Sequence, residues 1–226
     1  ITMFTDLGLW AFVVRHKTPE DPHLLNVVWT LQVLRGWIMF LFIMLMVIVL
    51  AITSKKMPNY FHGVYADTRL PLLILIASIG SVIGGYKSMA SPLMSLKLDL
   101  RKIELIEFFS QATAVMVMLV WAWLNPSIWI LLVAAIISTS ISTFSSYYFF
   151  PWRHKLVWDK AVATEVFHFS KWILIASALT YLFSQGDKLF FAGKIDAAQL
   201  GVYSIAFMLA ATLISVTQMI YKKIIF

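Results

Sequence analysis

Residues 181 to 195 read YLFSQGDKLFFAGKI and set Gln185, Asp187 and Lys188 within four residues, directly after an apolar stretch. Ionisable groups in a hydrocarbon span are costly and are candidates for function by default. Projected at about 100° per residue, Ser177, Tyr181, Ser184 and Lys188 fall within a stripe about 60° wide, with Gln185 on one flank and Thr180 and Asp187 on the other. Such a face turns toward protein or a water-filled cavity, where the Lys188 ammonium can meet a ligand. An adjacent carboxylate lowers the cost of leaving that cationic site empty. The competing reading is an interfacial anchor, in which the two charges snorkel to the membrane surface or neutralise each other. Arg35, in LQVLRGW, has the same two readings: it binds an anionic headgroup in a cavity, or it snorkels to cytoplasmic phosphates.

Other chemistry is missing from the sequence. There is no Cys, so disulfides, iron-sulfur clusters, thiolate zinc and a thiol nucleophile are excluded. GxxxxGK[ST], GxGxxG and HExxH do not occur, and His16, His23, His62, His154 and His168 lack metal-ligand spacing. No cofactor is expected. A membrane polymerase or glycosyltransferase needs carboxylates in a sizeable loop, whereas the acidic residues here are scattered in short connections and helix ends. The expected class is therefore not an enzyme.

The elements that position these residues belong in a bilayer: 61% of the 226 residues are apolar and 13% charged, and the mean hydropathy is +0.84. Charge-free runs cover Gly36 to Ser54, Leu70 to Tyr86, Phe108 to Trp152 and Ala197 to Tyr221, and another run leads from Trp172 toward Gly193. The 45 uncharged residues of the third run are twice what one crossing needs, and Pro126 in NPS divides them into a helical hairpin. The expectation is an all-α polytopic membrane bundle of six full spans, plus the end of a seventh reaching Val14. The runs lack the strict alternation of a barrel. The start, ITMFTDLGLW, has neither an initiator Met nor a signal-peptide pattern, and is expected to be internal to a longer chain. Twelve of the 18 Lys and Arg fall in connections on one side and five on the other, which makes the first side cytoplasmic. The net charge of +7 reads as topology and anionic-lipid contact, not nucleic-acid binding. Residues 155 to 170 space Trp158, Val162, Val166 and Phe169 helically and read as an in-plane amphipathic helix at a lobe boundary. Gly80 and Gly84, and Ala134, Ser138, Ser142 and Ser146, read as close helix contacts.

Several stretches then fall into a family pattern. FTDLGLW, LNVVWTLQVLRG, IELIEFFSQ, SQGDKLFFAGKI and AAQLGVYSIAFMLA occur in the order and spacing of the polysaccharide transporter family. The chain resembles these oligosaccharide flippases of the MATE-like (MOP) exporter superfamily over nearly its whole length. The resemblance implies two lobes of six helices that alternately open a central cationic cavity to each membrane face. It implies transport of undecaprenyl-diphosphate-linked sugar units across the bacterial inner membrane for O-antigen or exopolysaccharide assembly. On that template residues 1–150 belong to the N-terminal lobe, 151–171 form an amphipathic cytoplasmic linker, and 172–226 begin the C-terminal lobe. The first helix, the start of the second and most of the second lobe are then missing. Candidate substrate-binding residues are Arg35, Tyr181, Ser184, Gln185, Asp187 and Lys188, with Lys188 holding the diphosphate. Implied partners are the lipid-linked oligosaccharide, membrane lipids and other polysaccharide-assembly proteins. Alternatives are a small-molecule exporter of the same superfamily, a polysaccharide-pathway polymerase or glycosyltransferase, and a non-transporting membrane scaffold.

Overall fold

The computed structural model describes residues 8–56, 63–96, 100–150 and 153–225. Among these residues the regular structure is helical, without strands: α1 Leu9–Arg15, α2 Pro22–Lys56, a 3-10 turn Gly63–Ala66, α3 Leu70–Gly85, α4 Ala90–Leu96, α5 Leu100–Leu124, α6 Trp129–Phe149, α7 Lys160–Ala192 and α8 Ala197–Ile225. Five of them, α2, α5, α6, α7 and α8, are long and apolar enough to cross a membrane. The chain is an all-α polytopic membrane helix bundle.

The sixth expected span is α3, which has only 16 residues and rises about 24 Å. Its end is held from α2, where the Gln32 side-chain amide donates to the carbonyls of Gly84 at 3.3 Å, Gly85 at 2.9 Å and Lys87 at 2.9 Å. Carbonyls that a helix C-terminus leaves orphaned are thereby satisfied. The long charge-free run is the α5–α6 hairpin, broken over residues 125–128 as Pro126 requires, and its two helices pack against each other. At the chain's start, α1 buries Leu9, Phe12 and Val13. Residues before Gly8 lie outside the described ones. Gly8 has φ 65°, and a Cβ there would stand 2.3 Å from Ile173 Cδ1, so backbone conformation and space both call for glycine.

Two expectations change. The tight crossing is not at Gly80 and Gly84, where an added Cβ would meet Thr139 of α6 at 4.0 and 3.7 Å, ordinary contact distances. It lies between α2 and α3: a Cβ on Gly36 would be 2.7 Å from the Ser81 carbonyl oxygen and 3.4 Å from Gly85 Cα. Those backbones touch. The in-plane helix over 155 to 170 also gives way. Residues 153–159 are non-helical, and α7 then runs unbroken from Lys160 to Ala192. Asp159 starts it, accepting the amides of Ala161 at 2.8 Å and Val162 at 3.4 Å. The apolar periodicity is real but serves packing: Val162, Val166 and Phe169 join a buried cluster with Leu25, Val28 and Met89. Protein covers Val166 fully and Val162 and Phe169 in part, while Trp158, the fourth residue of the pattern, is exposed.

Residues divide into two compact units, Ile1–Leu50 with Pro71–Thr180, and Ala51–Leu70 with Tyr181–Phe226. The two long helices α2 and α7 contribute to both.

The charge bias is testable because the chain has no native Cys. Thr68→Cys and Leu156→Cys occupy exposed positions and are expected to react with an impermeant thiol reagent from opposite faces of the membrane. Labelling of both from one face would overturn the orientation.

Candidate functional site

The charged pair of the sequence lies where α7 turns into α8. Gly193 breaks the helix, the amides of Lys194 and Ile195 bond back to the Phe191 carbonyl at 2.8 and 2.9 Å, and Asp196 caps α8 through the Gln199 amide at 2.7 Å. This tight elbow brings residues 12 to 19 apart in sequence into contact. The Tyr203 hydroxyl donates to Asp187 Oδ2. Asp187 Oδ1 is enclosed and makes no hydrogen bond among the described residues. The Lys188 ammonium stands 4.2 Å over the Phe207 ring, a cation–π contact of about 1 kcal/mol. Phe191 meets Tyr203 edge-on at 5.2 Å. On the same unit the Tyr65 hydroxyl donates to the Leu189 carbonyl at 3.0 Å, and its ring lies 3.5 Å from where a Gly193 Cβ would sit.

Asp187 and Lys188 form no direct ion pair in the structure. Among the described residues the ion pairs are His23–Asp159 and Lys87–Glu107, while each member of the 187–188 pair takes an aromatic partner on α8. Tyr181, Ser184 and Gln185 are half-buried on the same helix, and the Ser184 hydroxyl lies 3.4 Å from the Tyr181 carbonyl. Arg35 is half-buried on α2, beside Gly36, in the other compact unit.

The first unit holds polar groups that the sequence reading did not single out. Lys87, just past α3, pairs with Glu107 of α5, and the Ser142 hydroxyl of α6 donates to the same carboxylate oxygen at 3.1 Å. The Trp29 indole N–H lies 3.1 Å from the Tyr147 hydroxyl, which donates to the Tyr86 carbonyl. The Trp37 indole donates to the Tyr86 hydroxyl at 3.2 Å. A carboxylate at the edge of a 45-residue uncharged run was a visible signal for Glu107. Tyr203 was less visible: a four-residue turn between α7 and α8 brings residues of α8 near Asp187, but the sequence does not say which one. Among the described residues no His, Asp and Glu group is arranged to hold a metal.

A family model described as "Polysaccharide biosynthesis protein" matches residues 1–226. No curated protein matches the chain. No solved structure matches it either.

Proposed function

Since the chain belongs to the polysaccharide biosynthesis protein family and is a multi-pass membrane protein of a polysaccharide pathway, we propose that it acts as a flippase. It moves undecaprenyl-diphosphate-linked oligosaccharide units across the bacterial inner membrane for surface polysaccharide assembly. It is a carrier and not an enzyme, works without a cofactor, and meets other polysaccharide-assembly proteins on either side of the transport step.

The observation that supports this reading best is the ammonium of Lys188 over Phe207. A lysine whose charge faces a ring keeps its three N–H donors for a ligand, and a diphosphate is the densest negative charge on a lipid-linked sugar. Attraction between them is strong wherever water is thin. Tyr203 draws Asp187 toward its own hydroxyl and away from a direct ion pair with the ammonium. Tyr181, Ser184 and Gln185 extend a polar path along α7 beside the charge, and Arg35 on α2 is a separate candidate for an anionic headgroup. In this reading residues 1–150 form one lobe, 151–171 connect, and 172–226 begin the next, with the lobes rocking to open the path to each side.

The full-length protein, produced in a bacterial strain lacking its own lipid-linked-oligosaccharide flippase, is expected to restore surface glycan and to clear the lipid-linked units that accumulate inside. A polymerase or glycosyltransferase predicts a different product: lipid-linked chains lengthen or change in sugar content while their orientation stays inward. Altered chains without outward movement would refute the flippase.

A further inference from the structure

Residues 153–159 form a non-helical strap along the first turns of α2, tied at both ends. At the far end Asp159 Oδ2 lies 3.0 Å from His23 Nε2. In the middle the Lys155 amide donates to Asn26 Oδ1 at 3.0 Å and the Val157 amide to Thr30 Oγ1 at 3.0 Å. At the near end sits His154, stacked on Trp29 with centroids 5.6 Å apart and planes 23° apart. Its Nε2 accepts the Met89 backbone N–H at 3.0 Å and lies 3.1 Å from Ser88 Oγ. The Ser88 amide in turn donates to Ser146 Oγ of α6 at 3.1 Å. One imidazole thus joins the strap to α2, to the α3–α4 connection and, through Ser88, to α6.

We propose that His154 is a proton-operated latch: neutral, it clamps the strap to the α3–α4 connection, and protonated at Nε2, it lets the strap go. The geometry carries this. A backbone N–H aimed at Nε2 requires a lone pair there, so a proton on that nitrogen opposes the Met89 amide and breaks the bond. Burial acts in the same direction, holding the His154 ring below its ordinary value. The sign follows: a released ring takes its proton near pH 6.5, so the clamp is intact above that pH and weakens as the pH falls below it.

The titratable and charged groups on the segments touching the ring are His23 and Arg35 on α2, Tyr86 and Lys87 before Ser88, Tyr147 on α6, and Arg153, Lys155 and Asp159 on the strap. Asp159 is the one carboxylate in that set. It is committed to His23 and to the amides of Ala161 and Val162, which hold its carboxyl below the usual carboxylate range. It therefore stays charged while His154 titrates, and the far tie persists. Acidification frees the strap at its His154 end only, while the ties to Asn26, Thr30 and His23 hold the rest against α2.

Two measurements on the protein in lipid nanodiscs test the latch. In nitrogen NMR of histidine-labelled protein near pH 8, His154 is expected as the Nδ1–H tautomer with an accepting Nε2; an Nε2–H tautomer overturns the proposal. A spin label on Arg153→Cys is expected to lose its immobile component as pH falls from about 8 to about 5. With His154→Gln added, whose side-chain oxygen accepts the Met89 amide without titrating, the label should stay immobile throughout. With His154→Ala it should be mobile throughout, and with His23→Gln the transition should persist. A parent label indifferent to pH, or a transition surviving in His154→Gln, refutes the latch.

Discussion

Gly36→Ala is expected to destabilise the protein by about 2 to 3 kcal/mol, seen as a lowered unfolding midpoint in detergent and a reduced yield of monodisperse protein. The added methyl carbon would sit 2.7 Å from the Ser81 carbonyl oxygen, and that oxygen belongs to helix backbone and cannot rotate away. Within a bilayer, helices associate through close contact and not through expulsion of water, so a crossing that separates loses its main source of adhesion. The other glycines provide an internal scale. A methyl on Gly85 would meet the Gln32 carbonyl oxygen at 3.3 Å, a tight contact, whereas on Gly84 or Gly80 it would meet the Thr139 side chain at 3.7 or 4.0 Å. The loss should therefore fall in the order Gly36, Gly85, Gly84, Gly80, with the last within about 0.5 kcal/mol of the parent. Equal losses at Gly36 and Gly80 would mean that the α2–α3 contact does not hold the helices together.

In the full-length protein, Lys188→Gln is expected to reduce glycan export by about ten- to a hundredfold at matched protein abundance, the equivalent of losing one charged hydrogen bond to the diphosphate. Lys188→Arg should retain more of the activity, because charge persists and guanidinium also stacks on an aromatic ring. Tyr203→Phe adds a control: it frees Asp187 from its α8 partner without changing any charge, and the carboxylate then competes with the ligand for Lys188. Export should fall, though less than in Lys188→Gln. An anchor at the membrane surface predicts something else, namely loss of protein from the membrane or normal export once abundance is equalised. Full export by Lys188→Gln would leave Lys188 as an anchor.

The hairpin was legible because its signals are local. A 45-residue uncharged run cannot be one crossing, and Pro126 marks where it must break. The turn before Ala197 was legible for the same reason. Which glycines meet was not, since a small-residue spacing says that a helix has a close-packing face and leaves the partner open. Gly80 and Gly84 form such a spacing on α3, yet Ser81 and Gly85, one position along, are the residues that face α2. The strap was hidden more deeply. Its amides are satisfied by Asn26 and Thr30, well over a hundred residues earlier in the chain, and no window of sequence contains both. The amphipathic pattern of 155 to 170 misled for a related reason: an apolar face looks the same whether lipid or protein covers it. For the candidate site, the polar stripe of α7 was visible, but the pairing of Asp187 and Lys188 with separate aromatic residues of α8 depended on the register across the elbow.

The brevity of α3 bears on the membrane as well as on the protein. A helix of 16 residues offers about 24 Å of apolar length to a hydrocarbon layer about 30 Å thick. The mismatch of roughly 6 Å is met by lipids that compress locally or by polar flanks drawn inward, at a fraction of a kcal/mol for each ångström. A bilayer crossed by α3 would be thinned beside it. Membrane thickness then becomes a variable of the system, with short-chain lipids relaxing the strain around α3 and long-chain lipids increasing it.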